Sequence, residues 1–138
     1  MPFGYKQKTN WYDSYFAKGM EIPDSASATC TTPLSAGKTG NALTARITAA
    51  TAVSIPAGKK VTFTPIYCAD EAGTFAAPNP AYGITLTNSG ASALDYAAGD
   101  ELCSFVLPDS EMEYVNITIT TDGEITGKID VAQGYTAR

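Results

Sequence analysis

The chain has 138 residues and a formal net charge of −5, from 9 basic and 14 acidic side chains, and it contains no histidine. That length suits one domain. The lack of histidine excludes Ser-His-Asp and Cys-His catalysis and any His-ligated metal, and an acidic balance with only Arg46 and Arg138 as arginines argues against a phosphate-backbone partner.

Leu, Ile, Val and Phe together number 25, against 21 alanines and 18 threonines. A core is therefore expected, but one poor in large side chains, and such a core favours help from a partner surface. No apolar run approaches the ~20 residues that span a bilayer. The first residues, MPFGYKQKTNWYDSYF, lack the apolar stretch of a secretory signal. The expectation is a protein made in a reducing compartment that leaves it only by lysis or within a particle. Cys30, Cys68 and Cys103 agree, being odd in number and far apart, with no C-x-x-C pair. They read as small hydrophobes and not as a disulfide framework or a zinc site.

Residues 1–20 stand apart from the rest. They hold Phe3, Tyr5, Trp11, Tyr12, Tyr15 and Phe16, six of the fourteen aromatics, together with Lys6, Lys8 and Lys18. Trp11–Ala17 is long enough for one or two helical turns but too short to be stable alone. The segment either packs on its own domain or serves as an arm that buries its rings on another subunit, since aromatics are favoured interface anchors. The domain division taken from this is an aromatic arm, 1–20, and a β-sandwich, 21–138.

Residues 21–40 are small, polar and Pro/Gly-bearing, which suits extended chain or an irregular edge strand. Gly37-Lys38-Thr39 resembles the end of a phosphate loop, but Thr32 stands where the motif needs its first glycine. From Asn41 the period is two. Leu43, Ala45 and Ile47 alternate with Thr44, Arg46 and Thr48, and Val53 and Ile55 precede a Pro56-Ala57-Gly58 turn. Val61, Phe63 and Tyr67 follow, with Pro65 marking an edge or a bulge. Residues 69–81 form a long loop, of the kind that tends to be functional or disordered. Tyr82, Ile84 and Leu86 then alternate with Gly83, Thr85 and Thr87.

Gly99-Asp100 opens Glu101–Leu107, where neither face is polar, so a strand buried on both sides is predicted. Val115, Ile117 and Ile119 alternate with polar residues up to Asp122-Gly123, and Ile125, Ile129 and Val131 follow. Two alternating runs around Asp-Gly predict a hairpin. Six to eight short strands with regular turn signals and no convincing helix after residue 20 mean an all-β sandwich or barrel.

The order in the C-terminal third is a glycine-led strand ending in Leu-Pro (Gly99–Pro108), a charged loop, an aromatic-led strand (Tyr114–Thr121) and a turn into Thr126–Val131. With Tyr12-Asp13-Ser14 near the start, it resembles the small jelly-roll capsid decoration, or cement, proteins of tailed bacteriophages. The resemblance covers a third to a half of the chain and carries no catalytic signature. It implies an all-β, antiparallel, jelly-roll-like β-sandwich with an extended N-terminal arm. It also implies a homo-oligomer, dimer or trimer, bound to the outer surface of a phage head and bridging subunits of the major capsid protein. No nucleic acid, membrane, cofactor or enzymatic role enters that expectation. The candidate contact residues are Phe3, Tyr5, Trp11, Tyr12, Tyr15 and Phe16 in the arm, then Tyr67, Phe75 and Tyr82 around the long loop.

Other classes read less well. Asp70-Glu71, Asp100-Glu101 and Asp109/Glu111/Glu113 could supply paired carboxylates for glycoside hydrolysis or oxygen ligands for calcium, but all adjoin turns, where acids face water. The alternative function is a non-catalytic carbohydrate-binding β-sandwich module, free or displayed on a virion, although the single tryptophan, Trp11, falls outside the predicted sheets. The sequon Asn116-Ile117-Thr118 falls mid-strand and is given no meaning.

Overall fold

In the computed structural model, residues 9–35, 42–77, 82–107 and 112–136 are described, with backbone alone for residues 9–14, 42–43 and 135–136. The period-two pattern sets the architecture. Threonine, isoleucine and valine alternate because their branched side chains fit a half-buried pleated surface. Among the described residues eleven strands result: β1 (Thr9–Glu21), β2 (Ser27–Thr29), β3 (Leu34–Ser35), β4 (Ala42–Ala49), β5 (Val53–Ile55), β6 (Lys60–Cys68), β7 (Ile84–Thr87), β8 (Leu94–Tyr96), β9 (Glu101–Val106), β10 (Tyr114–Thr121) and β11 (Lys128–Thr136). There is no helix among the described residues.

One sheet runs β1-β11-β4-β9 and the other β2-β10-β6-β7, with β3 also on β10 and a short β5–β8 ladder beside them. Every pairing is antiparallel, and four of them nest: β1 with β11, β2 with β10, β4 with β9, and β6 with β7. The inward faces of both sheets make one core. Phe16, Ala45, Ile47, Phe105, Ile129 and Val131 come from the first sheet, and Val61, Phe63, Val115, Ile117 and Ile119 from the second. The fold class is the expected all-β antiparallel sandwich.

Four local expectations are corrected. Trp11–Ala17 is strand and not helix: it lies within β1, whose ladder on β11 is broken by three register shifts. Residues 9–20 therefore belong to a sheet of the sandwich, so an arm ending at residue 20 is too long. β9 is an edge strand and is not buried on both faces. A register shift opposite Ile47 and Thr48 lets Leu102 and Phe105, three residues apart, both turn inward, while Val106 stays 50% exposed.

The Asp122-Gly123 hairpin does not form either. β10 and β11 lie in different sheets, and residues 122–127 cross between them. Asp122 Oδ1 accepts the Lys60 N–H at 2.8 Å, Ile125 is buried, and Ser54 and Thr126 exchange backbone bonds. The left-handed glycine of this crossing is Gly127 (φ 114°), where a Cβ would overlap the Ala52 carbonyl oxygen and come within 2.9 Å of Val53 Cα.

Other signals hold. Gly58 (φ 78°) closes the turn after β5, and Gly99 (φ 93°) precedes β9. Pro65 sits on β6 beyond the last residue paired with β7, Phe63, and before the Tyr67–Ala76 bridge. Its missing N–H falls in that gap, as an edge proline requires. The Gly37-Lys38-Thr39 triplet lies outside the described residues.

Candidate adhesive surface

The strand pairings gather several chain segments at one end of the sandwich. β1 begins there with Thr9 opposite Tyr135, β4 begins and β9 ends there with Thr44 opposite Val106, and β10 begins there with Tyr114 opposite both Cys68 and Ser35. β3, β6 and β9 therefore end, and β1, β4 and β10 begin, at this end.

The candidate residues distribute unequally. Phe3 and Tyr5 lie outside the described residues. Trp11 and Tyr12 are on the β1 backbone near this end. Tyr15 is half-buried on the outer side of β1, with the Lys18 ammonium 4.6 Å from its ring centroid. Phe16 is fully buried in the chain's own core, and its carbonyl accepts the Thr32 N–H at 3.0 Å. It is corrected from a candidate contact to a core residue, because a side chain already removed from water gains nothing from a partner.

Tyr67 is likewise a core residue, bridged to Ala76 by two backbone bonds of 2.9 and 3.0 Å. Phe75 is half-buried beside that bridge. Tyr82 is 38% exposed, and its ring rests on Phe105, centroids 6.2 Å apart and tilted by 47°.

Two residues at this end escaped the sequence reading. Val106 and Met112, 50% and 46% exposed, complete with Tyr82 the set of exposed large hydrophobics among the described residues. All three lie at the same end. Met112 was legible as an apolar residue in an acidic connection. Val106 was hidden in a run that read as buried throughout.

The opposite end is built differently. Its turns are tied to one another: Gly58 N–H to Asn88 O at 2.8 Å, Asn88 N–H to Lys59 O at 2.9 Å, and Ser25 N–H to Gly123 O at 3.2 Å. The buried Asn88 amide donates to Ile55 O and Ser92 O, both at 2.9 Å, and its oxygen accepts the Gly90 N–H at 3.0 Å. Lys59, Lys60, Asp95 and Glu124 are exposed around these turns.

The acidic candidates have structural partners or face solvent. Asp100 Oδ2 accepts the Ala97 N–H at 2.9 Å, and Glu101 pairs with Arg46 at 2.7 Å. Asp70, Glu71 and Glu113 are exposed, and Asp109 and Glu111 lie outside the described residues. No group of three or more Cys, Asp or Glu among the described residues is placed to hold a metal ion. Asn116 of the sequon is buried, and its amide donates to Cys30 O at 3.0 Å.

Burial pushes the Cys30 thiol up to about 12. Tyr96 is raised by desolvation and by the neighbouring Cys103. Comparison with protein-family models, curated proteins and solved structures gives no match.

Proposed function

We propose that this protein is a structural decoration, or cement, protein of a phage head. It binds the outer surface of the capsid as a homo-oligomer and bridges subunits of the major capsid protein without doing chemistry. The observation that carries this reading is the placement of Tyr82, Val106 and Met112, the exposed large hydrophobics among the described residues, at one end of the sandwich. Apolar and aromatic side chains at the centre of a patch are what a protein interface desolvates.

The nested pairing supports the jelly-roll part of the reading. With the two-residue β3 left aside, the other eight strands of the two main sheets nest in chain order: first pairs with last, second with seventh, third with sixth and fourth with fifth. A long antiparallel hairpin rolled into two sheets has that order, the plan of the double-sheet jelly rolls that recur in viral capsid proteins. The resemblance in residues 99–131 points the same way.

A single contact end suits bridging. An interface on the order of 1,600 Å² would hold each copy, and many copies on one shell add through multivalency. The test is to add purified protein to heads assembled without it. Co-sedimentation, with raised resistance of the heads to heat, supports the reading. Free protein in the supernatant at every concentration rejects it.

A further inference from the structure

The outer face of the β2-β10-β6-β7 sheet is a field of hydroxyls. Its registers align Ser27, Thr120, Thr62 and Thr85 in one row across four strands, and Thr29, Thr118 and Thr64 in the next. Three cross-strand pairs hold the oxygens together: Ser27 with Thr120 at 2.9 Å, Thr62 with Thr85 at 3.1 Å, and Thr29 with Thr118 at 3.4 Å. Neither row contains a charge. The outer face of the other sheet, in contrast, carries the Arg46–Glu101 pair and Asp130, which accepts the Gly19 N–H at 2.7 Å.

We infer that this hydroxyl face is a contact surface for the same face of a second copy, rows against rows about a two-fold axis. It rests on the homo-oligomer part of the function proposed above and not on the capsid part. Four features select a second copy as the occupant. Copies carrying −5 each repel one another overall, whereas the two hydroxyl rows themselves carry no charge, the exposed Lys60 lying beyond them on β6. A hydroxyl both donates and accepts, so an identical field satisfies itself. Two sheets of the same twist pack face to face at about −30°, and an isologous contact needs that self-match. The threonines are stiff at χ1 and already paired laterally, so little rotamer freedom remains to be lost.

The area sets the strength. Four strands about 4.8 Å apart and about five residues deep at about 3.3 Å each give a footprint of roughly 300 Å² per copy. Two such footprints fall short of the roughly 1,200 Å² at which stable complexes begin. The contact is therefore weak in dilute solution and becomes populated where copies are crowded.

Sedimentation and light scattering from micromolar to millimolar concentration test this, using wild type, Thr85→Glu/Thr120→Glu on the face, and Ala72→Glu/Ala77→Glu in the segment that follows β6 as a charge-matched control. All substituted sites are exposed, and a thermal melt verifies folding of each variant. The expected result is a weight-average mass that rises with concentration in wild type and control and stays at monomer in the face variant. Association that persists unchanged in the face variant overturns the surface assignment and leaves the homo-oligomer reading standing. A wild type that stays monomeric to millimolar concentration overturns both, while the capsid reading still answers to its own sedimentation test.

Discussion

Tyr82 leans its ring on Phe105, centroids 6.2 Å apart at 47°, and so joins the chain entering β7, an edge of one sheet, to β9, an edge of the other. The contact closes the sandwich where the exposed apolar residues gather. Phe105 is buried, so Phe105→Ala is expected to cost about 3–5 kcal/mol. Tyr82→Ala is expected to cost less, because its ring is partly in water already. The coupling between the two rings should be about 0.5–1.5 kcal/mol. Urea unfolding of the two single mutants and the double mutant measures it.

The other end depends on Asn88, whose amide serves two carbonyls and one N–H. Asn88→Ala leaves those groups without their partner, at a cost of about 2–3 kcal/mol. A chemical-unfolding midpoint shifted down with an unchanged slope is the expected result.

Cys30 gives the fold an alkaline limit. Its ordinary pKa of 9.0 is pushed to about 12 by burial, so the folded state holds the thiol proton more tightly than the unfolded chain. Its contribution to stability is complete below pH 9 and is lost as pH rises from about 9 through about 12. Cys30→Ala should flatten that decline in a pH series of unfolding free energies. At neutral pH, thiol reagents should modify Cys68 and Cys103, which are half-buried, before Cys30.

The position of β1 decides how the N-terminus should be truncated. Deleting residues 1–18 removes fully buried Phe16 and uncovers the β11 edge, so a markedly lower melting temperature is expected. Deleting residues 1–8 keeps β1 and should leave the melting temperature within a few degrees of wild type. Circular dichroism melts of the two truncations separate these outcomes.

Much of the fold was legible in the chain, because period-two alternation in β4, β6, β7 and β10 reports one buried face per strand. Pro56-Ala57-Gly58 and Gly99-Asp100 marked real turns because the backbone there enters the left-handed region. What failed was pairing. Asp122-Gly123 signals a turn locally, but whether the chain doubles back or crosses to the other sheet depends on partners far away in sequence, here Lys60 and Ser54. A similar non-local cause hid β9: the register shift against β4 gives two inward residues three apart, which looks like burial on both faces.

The candidate surface was half legible. Aromatic content pointed to residues 1–20 and to the surroundings of the long loop, but Phe16 and Tyr67 face the core, and composition does not distinguish an anchor for a partner from an anchor for the domain. Tyr82 remained exposed. Val106 and Met112 became visible only once β9 and β10 were set at the same end.

The most direct measurement is occupancy of heads assembled without this protein, comparing wild type with Val106→Asp/Met112→Asp. Both sites are about half exposed, so the variant is expected to fold. The account predicts that wild type fills the heads and raises their heat resistance, while the variant stays in solution at the same concentration. Equal filling by both proteins, or binding by neither, contradicts it.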